Sequence, residues 1–200
     1  LIQHLVGYNT VSRDSNLPLI DFIQNYLFDL GVDSRRVLSQ DGKKSNLIAT
    51  VGPQDEGGVG LSGHTDVVPV DGQEWSSDPF VIRRDNGRLY GRGSCDIKGG
   101  MACMLTAFKR LVTEQPDNVP TVVMACSVNE EYGMSGADIM PLLWQDTEQK
   151  WFAEPAGVIV AEPTMLDVVV AHKGVTRFLV DVTGKACHSS QPTLGQNAIY

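Results

Sequence analysis

Residues 119–128 form a near-continuous apolar run, the pattern of a β-strand covered on both faces. Such a strand has to lie inside a sheet with other layers packed over it, which constrains the fold more than any other segment does. Amphipathic helices stand on either side of it in the sequence. In 17–30, Ile20, Ile23, Tyr26, Leu27 and Leu30 share one face and Gly31 follows as a stop signal. In 98–112, Met101, Met104, Leu105, Phe108, Leu111 and Val112 recur at helical spacing, and a shorter helix is expected around 136–143. The short apolar runs 46–51 and 59–63, separated by a turn-rich segment, predict two neighbouring strands. Further buried strands are expected at 157–161 and 168–171, and another at 175–182. Residues 69–92 read as irregular and polar, with Trp75, Pro79 and Phe80 as local anchors. Strands alternating with helices predict an α/β fold, a mixed β-sheet flanked by helices.

The pattern changes near Gly174. Residues 177–182 alternate as a half-exposed strand would, and 197–200 stop in mid-pattern. This predicts one domain over 1–174 and the start of a second over 175–200, in a chain that reads as a fragment at both ends. Two hundred residues suffice for one sizeable core with room for that start.

Composition excludes several classes. A formal net charge of -8 argues against a nucleic-acid binder. No polybasic run suits an anionic membrane, and no apolar stretch approaches the roughly 20 residues that span a bilayer. No signal-peptide pattern stands at Leu1-Ile2-Gln3, although the chain opens without methionine. Cys95, Cys103, Cys126 and Cys187 form no Cys-x-x-Cys pair, which fits free thiols in a reducing cytosol. Cys95 beside Asp96 is an alternative nucleophile or soft metal ligand, but no adjacent base would lower its pKa.

Acids and one histidine recur at the ends of the apolar runs: His64 and Asp66, Asp96, Glu130-Glu131, and Glu162 before Pro163. In an open α/β sheet, sites gather beyond the carboxyl ends of strands. Carboxylates about 4 Å apart repel by roughly 4 kcal/mol at an effective dielectric near 20, so convergence there calls for a multivalent cation. Each residue also has a plainer reading. His64 and Asp66, two apart after a strand, suit a metal-ligating imidazole backed by a carboxylate, or a strand-end histidine with an incidental acid. Asp96 is a ligand or the N-cap of the helix that follows. Glu130-Glu131 is a functional pair or two solvated acids. His172 reads as structural, and His188 lies in the second segment and can reach toward a site only from there. The chain holds no Walker-type loop, nucleophile elbow or calcium loop, and Asp96 stands where a dinucleotide fingerprint needs glycine.

At this point the chain resembles a known family. Ser62-Gly63-His64-Thr65-Asp66-Val67-Val68-Pro69, Tyr90-Gly91-Arg92-Gly93 with Asp96-Ile97-Lys98-Gly99-Gly100, Asn129-Glu130-Glu131, Ala161-Glu162-Pro163-Thr164 and His188-Ser189-Ser190 look like the M20 family of di-zinc metallopeptidases and deacylases. The strings Trp75-Ser76-Ser77-Asp78-Pro79-Phe80 and Ala171-His172-Lys173-Gly174 are most similar to its members that release ornithine and acetate from N-acetylornithine, in arginine biosynthesis. Desuccinylases of succinyl-diaminopimelate, aminoacylases and carboxypeptidases are similar in the metal motifs and less so between them.

The resemblance implies a zinc-exopeptidase-like catalytic domain, incomplete at its C-terminal side, followed by the opening of a smaller α+β lid or dimerisation domain. It implies two Zn2+ ions, with Co2+ as a possible substitute, bridged by Asp96. His64 and Glu162 would complete one metal's ligands and Glu131 would hold the other. Glu130 would be the general acid/base, and Asp66 would orient His64. His188 would meet substrate across a homodimer interface. The implied reaction is zinc-dependent hydrolysis of an N-acyl amino acid in the cytoplasm, with a small-molecule substrate and neither nucleic acid nor membrane as partner. The resemblance also implies a cis peptide at Asp96-Ile97. One departure stands out: the family's last zinc-ligating histidine has no counterpart in these residues. Two rival classes follow from the residues themselves, a metal-cleft binding protein without turnover and a thiol enzyme using Cys95.

Overall fold

The computed structural model describes residues 1–145, 152–174, 176 and 178–199. In chain order they form α1 (Ile2–Gly7), α2 (Leu17–Phe28), β1 (Ser34–Leu38), β2 (Ser45–Val51), β3 (Gly58–His64), β4 (Arg83–Asp85), β5 (Arg88–Tyr90), α3 (Lys98–Glu114), β6 (Val122–Ser127), α4 (Ser135–Gln145) and β7 (Pro155–Val160). The fold is mixed α/β. Its five-stranded sheet runs β1-β2-β6-β3-β7. β2 is antiparallel to both β1 and β6, whereas β6, β3 and β7 are mutually parallel.

The apolar run is β6, at the centre of the sheet, and both of its faces are covered. Val122, Met124 and Cys126 turn toward one core with Leu47 and Ala49 of β2. That core is filled by Leu19, Ile20, Ile23 and Leu27 of α2 and by Met101, Leu105 and Phe108 of α3. Val123 and Ile48 turn to the opposite face, against Leu143 of α4 and Phe152. The period of two along each strand thus meets a helix on both sides. α2 and α3 bury the stripes read from their spacing, and α2 gives way to a turn at Gly31.

Several expectations need correction. The runs 46–51 and 59–63 do form strands, but they are not neighbours, because β6 lies between them. Adjacent runs pair directly when a tight hairpin joins them. Here β3 is parallel to β6 and β2 antiparallel to it, so β6 completes both ladders. β7 is a strand but not a buried one: among the described residues it pairs only with β3, and Val158, Ile159 and Val160 are 52–60% exposed at the sheet edge. Residues 168–171 are exposed and form no strand. Of the strand expected at 175–182, Val175 and Arg177 lie outside the described residues, and 178–182 are exposed without a ladder partner. An apolar run becomes a strand only where another strand satisfies its main chain.

Four elements were not anticipated from the sequence. β1 is an edge strand carrying Arg35 and Arg36. α1 is a short helix. β4 and β5 form a ribbon inside the stretch read as irregular, closed by Asn86 and Gly87 with φ of +46° and +75°. Asn-Gly with both residues left-handed is a strong hairpin signal.

The chain divides into two units, Leu1–Leu166 and Asp167–Tyr200. The second holds a 3-10 turn at Pro192–Leu194 and a bridge between Lys185 and Gln196. Among the described residues no helix is long and apolar enough to cross a membrane.

Candidate metal centre

Three parallel strands end side by side, and each delivers chemistry at or just past its last residue. His64 closes β3 in register with Ser127 of β6, and the ladder continues as Thr65 N–H donates to the Ser127 carbonyl at 2.8 Å. Beyond β6 come Glu130 and Glu131. Beyond β7, Ala161 N–H donates to the Ser62 carbonyl at 3.0 Å and leads into Glu162. Asp96 arrives separately, from the turn before α3. Gly63 lets that helix approach, since a Cβ there would stand 2.9 Å from Met104 Cε and 3.0 Å from Met101 Cγ. Gly100 does the same at the helix start, where a Cβ would meet the Ala161 carbonyl at 2.8 Å.

The acids converge on His64, which is buried. Its Nε2 lies 3.0 Å from Asp96 Oδ1, 3.8 Å from Glu130 Oε2 and 3.8 Å from Glu162 Oε1. Ligand atoms of His64, Asp96 and Glu162 lie within 4.8 Å of one another, as do those of His64, Glu130 and Glu131. Asp96 does not cap α3: the N-cap is Ile97, without a side-chain hydrogen bond, and the Asp96-Ile97 peptide is cis.

The other imidazole nitrogen fixes the tautomer. His64 Nδ1 sits 2.8 Å from the Asp66 main-chain carbonyl, an acceptor, so Nδ1 carries the proton and Nε2 presents its lone pair to the acids. The Asp66 carboxylate lies farther from Nδ1, at 3.6 Å, and is engaged elsewhere. It accepts from Ser12 Oγ at 2.7 Å, Glu130 N–H at 3.1 Å and Glu131 N–H at 3.2 Å. Asp66 therefore meets the histidine with its main chain and the glutamate pair with its side chain.

A polar scaffold lies beneath. Asn46 accepts from Val128 N–H at 3.0 Å and donates to the Gly136 carbonyl at 2.9 Å, pinning both ends of the glutamate loop. Asn16 bridges the Ser45 main chain and Thr65 Oγ1. Lys98 is fully buried, donates to the Tyr8 carbonyl at 2.6 Å, and is pushed down to about 7 by burial, against the pull of Asp66. Glu131 and Glu162 are held above the ordinary carboxylate range, chiefly by burial and further by negative neighbours including Asp96 and Glu130.

This donor set fits a divalent cation. Carboxylates 4.8 Å apart repel by roughly 3.5 kcal/mol at an effective dielectric near 20, less where water screens them. A cation among them converts that repulsion to attraction. One imidazole lone pair with several carboxylate oxygens suits zinc. Among the described residues Cys95 joins neither ligand group, and its thiol is exposed. His172 is exposed, with Nδ1 near the Lys173 carbonyl, rather than structurally buried. In the second unit His188 Nδ1 accepts from Ser190 N–H at 3.2 Å and lies 2.8 Å from Ser190 Oγ. Ser12, Lys44, Asn46 and Asn16 carried no signal of a site role, because their partners are largely main-chain groups brought near by the topology.

Residues 60–196 match the signature of Peptidase family M20/M25/M40. The chain belongs to this family. Acetylornithine deacetylase of Buchnera aphidicola subsp. Acyrthosiphon pisum (strain Tuc7) is 35% identical over 198 residues, 99% of this chain and 49% of that protein. The enzyme of the same name from Proteus mirabilis (strain HI4320) is 37% identical over 192 residues, 92% of this chain and 46% of that protein. This M20 chain thus spans about half the length of the curated relatives it matches. Human carnosine dipeptidase 1 shares the fold with a TM-score of 0.67 at 21% identity, over 80% of this chain and 37% of that one. An M20 family metallo-carboxypeptidase of Sulfolobus solfataricus does so at 0.67 and 22%, over 80% and 36%.

Proposed function

We propose that the protein hydrolyses the amide bond of an N-acyl amino acid, N-acetylornithine foremost, releasing ornithine and acetate in the arginine branch of amino-acid biosynthesis. The observation that supports it is Nε2 of His64, tautomer fixed, facing Asp96, Glu130 and Glu162 within 3.8 Å. The relatives named acetylornithine deacetylase support the general reaction, and the choice of the acetyl over the succinyl substrate is left to the test below.

In this reading His64, Asp96 and Glu162 would hold one zinc, and Glu131 would hold a second. Bound zinc supplies Lewis acidity toward the amide carbonyl and lowers the pKa of water. Glu130 takes the proton from the attacking water and returns it to the leaving nitrogen as the C–N bond breaks. Asp66 keeps Glu130 and Glu131 in place by accepting from both of their amides. His188 would meet the substrate from the second subunit of a homodimer, and the enzyme would work in the cytoplasm.

The test is turnover of N-acetylornithine against N-succinyl-diaminopimelate by the full-length protein, with and without a chelator. The reading expects chelator-sensitive cleavage favouring the acetyl substrate. In Glu130→Ala, metal should stay bound while turnover drops by about 10²–10⁴. A variant keeping a tenth of the activity would remove Glu130 from its role. A zinc-loaded protein inert on a panel of N-acyl amino acids would leave a metal-cleft binding protein instead.

A further inference from the structure

The loop bearing Glu130 and Glu131 is gripped from outside by a lysine. Lys44, next to the start of β2, is half-buried and donates from Nζ to Asn129 Oδ1 at 2.6 Å and, at close range, to the Ser12 carbonyl. Asn129 immediately precedes the glutamate pair and holds a left-handed backbone, φ +59°. Its amide nitrogen donates in turn to Ser135 Oγ at 3.0 Å. The Ser12 hydroxyl donates to Asp66 Oδ2, and the Asp66 carboxylate accepts from the amides of Glu130 and Glu131. The contacts close into a ring: Lys44 to Ser12, Ser12 to Asp66, Asp66 to the glutamate amides, and Asn129 back to Lys44.

Neither partner of Lys44 belongs to the two ligand groups. The loop's attachment to the sheet does not depend on this lysine either, since Asn46 already pins Val128 and Gly136. What Lys44 constrains is the stretch between those anchors, beginning at Asn129, the left-handed residue directly before Glu130. An ammonium offers three donors and no acceptor, so it can clamp two oxygens from separate segments at once.

The geometry points to Lys44 as a positioning residue for the hydrolysis: through Asn129 and Ser12 it sets where the Glu130 carboxylate stands. The inference rests on the reading of Glu130 as proton carrier. A shift of about 1 Å in a group that must meet a reacting atom can cost a hundredfold in rate.

The test compares Lys44→Met, Lys44→Arg, Asn129→Gly and the Lys44→Met/Asn129→Gly double variant in the full-length protein. Asn129→Gly keeps the left-handed backbone and deletes the acceptor, so it carries the test should Lys44→Met fold poorly. Lys44→Met should lower kcat by about 30-fold with KM within about twofold. Lys44→Arg should restore most of that loss, Asn129→Gly should reproduce it, and the double variant should be no worse than the poorer single one. Amide exchange at Glu130 and Glu131 should quicken by about tenfold in Lys44→Met, while β6 stays protected. Unchanged kcat, a loss confined to KM, additive single effects or unaltered exchange would each overturn the inference. A wild-type protein without chelator-sensitive hydrolysis would instead sink the proposed function, and exchange at the two amides would still decide whether Lys44 holds the turn.

Discussion

Asp66→Asn preserves shape while removing a charge and one acceptor, so its cost can be worked bond by bond. Asp66 is buried, and its carboxylate accepts three donors: Glu130 N–H on Oδ1, and Ser12 Oγ–H with Glu131 N–H on Oδ2. Asparagine has one carbonyl oxygen. The less costly orientation keeps that oxygen at the Oδ2 position and turns an NH2 against Glu130 N–H. Losing a hydrogen bond to a charged group costs about 1.5–3 kcal/mol. The two surviving bonds lose their charge assistance and weaken by roughly half. One term opposes this, because Asp66 adds to the repulsion on Glu131, though it is the last-ranked of the causes that raise that group. The net expectation is a loss of about 3 kcal/mol, or a midpoint lower by about 6–12 °C for a chain of this size. The assay is thermal and denaturant unfolding of metal-free protein at neutral pH, followed by circular dichroism. A loss below about 1 kcal/mol would mean that the carboxylate does not hold the loop, and the account of how Glu130 is placed would fall with it.

The raised pKa values of Glu131 and Glu162 set a pH trend for the metal-free protein. The folded state retains protons there that the unfolded chain releases, so their contribution to stability is complete below the ordinary value of 4.5 and is lost as pH rises through the raised ones. The metal-free midpoint should therefore fall as pH rises above 4.5, and added zinc should reverse the trend with release of protons; a flat profile in the metal-free protein counts against the cluster. Zinc titration of this 200-residue chain, read by calorimetry, should give one tight and one weak event, and two equally tight sites would show that the donors present suffice for both metals. Phe108→Ala should cost about 3–5 kcal/mol in denaturant unfolding, because Phe108 is fully buried between α3 and the sheet; a loss under about 1 kcal/mol would contradict that packing.

The central strand was legible because burial on both faces leaves a continuous apolar record, and Val123 and Met124 serve opposite cores. The two long helices were legible for the complementary reason: α2 and α3 each bury one stripe and keep the 3.6-residue period visible. Strand order was not. Nothing in the composition of 46–51 or 59–63 says that a strand from sixty residues later will separate them. Apolar content misled at 168–171, since a strand depends on a neighbour's main chain as much as on its own side chains. At β1 and the β4–β5 ribbon, arginines on exposed edges masked real strands, although Asn86-Gly87 did mark the ribbon's turn.

The site divides along a similar line. Charged groups that gather beyond strand ends announce themselves, because carboxylates after apolar runs are costly unless they share a purpose. The groups that hold them are legible only in space. Ser12, Asn46 and Asn16 satisfy main-chain donors and acceptors whose proximity the fold creates, Ser12 beside the Val11–Val67 bridge, Asn16 at the start of β2 and Asn46 across the antiparallel register of β2 with β6. Their chemistry is ordinary at every position in a sequence and specific only once that register exists. The carboxylate of Asp66 shows how far this goes. Read along the chain it belongs to His64, two residues away; in the fold its side chain reaches 64 and 65 residues onward to the amides of Glu130 and Glu131. One buried acid thus couples the end of β3 to the end of β6. Any change that slips the register between those strands should displace the proton carrier and the imidazole together, rather than one after the other.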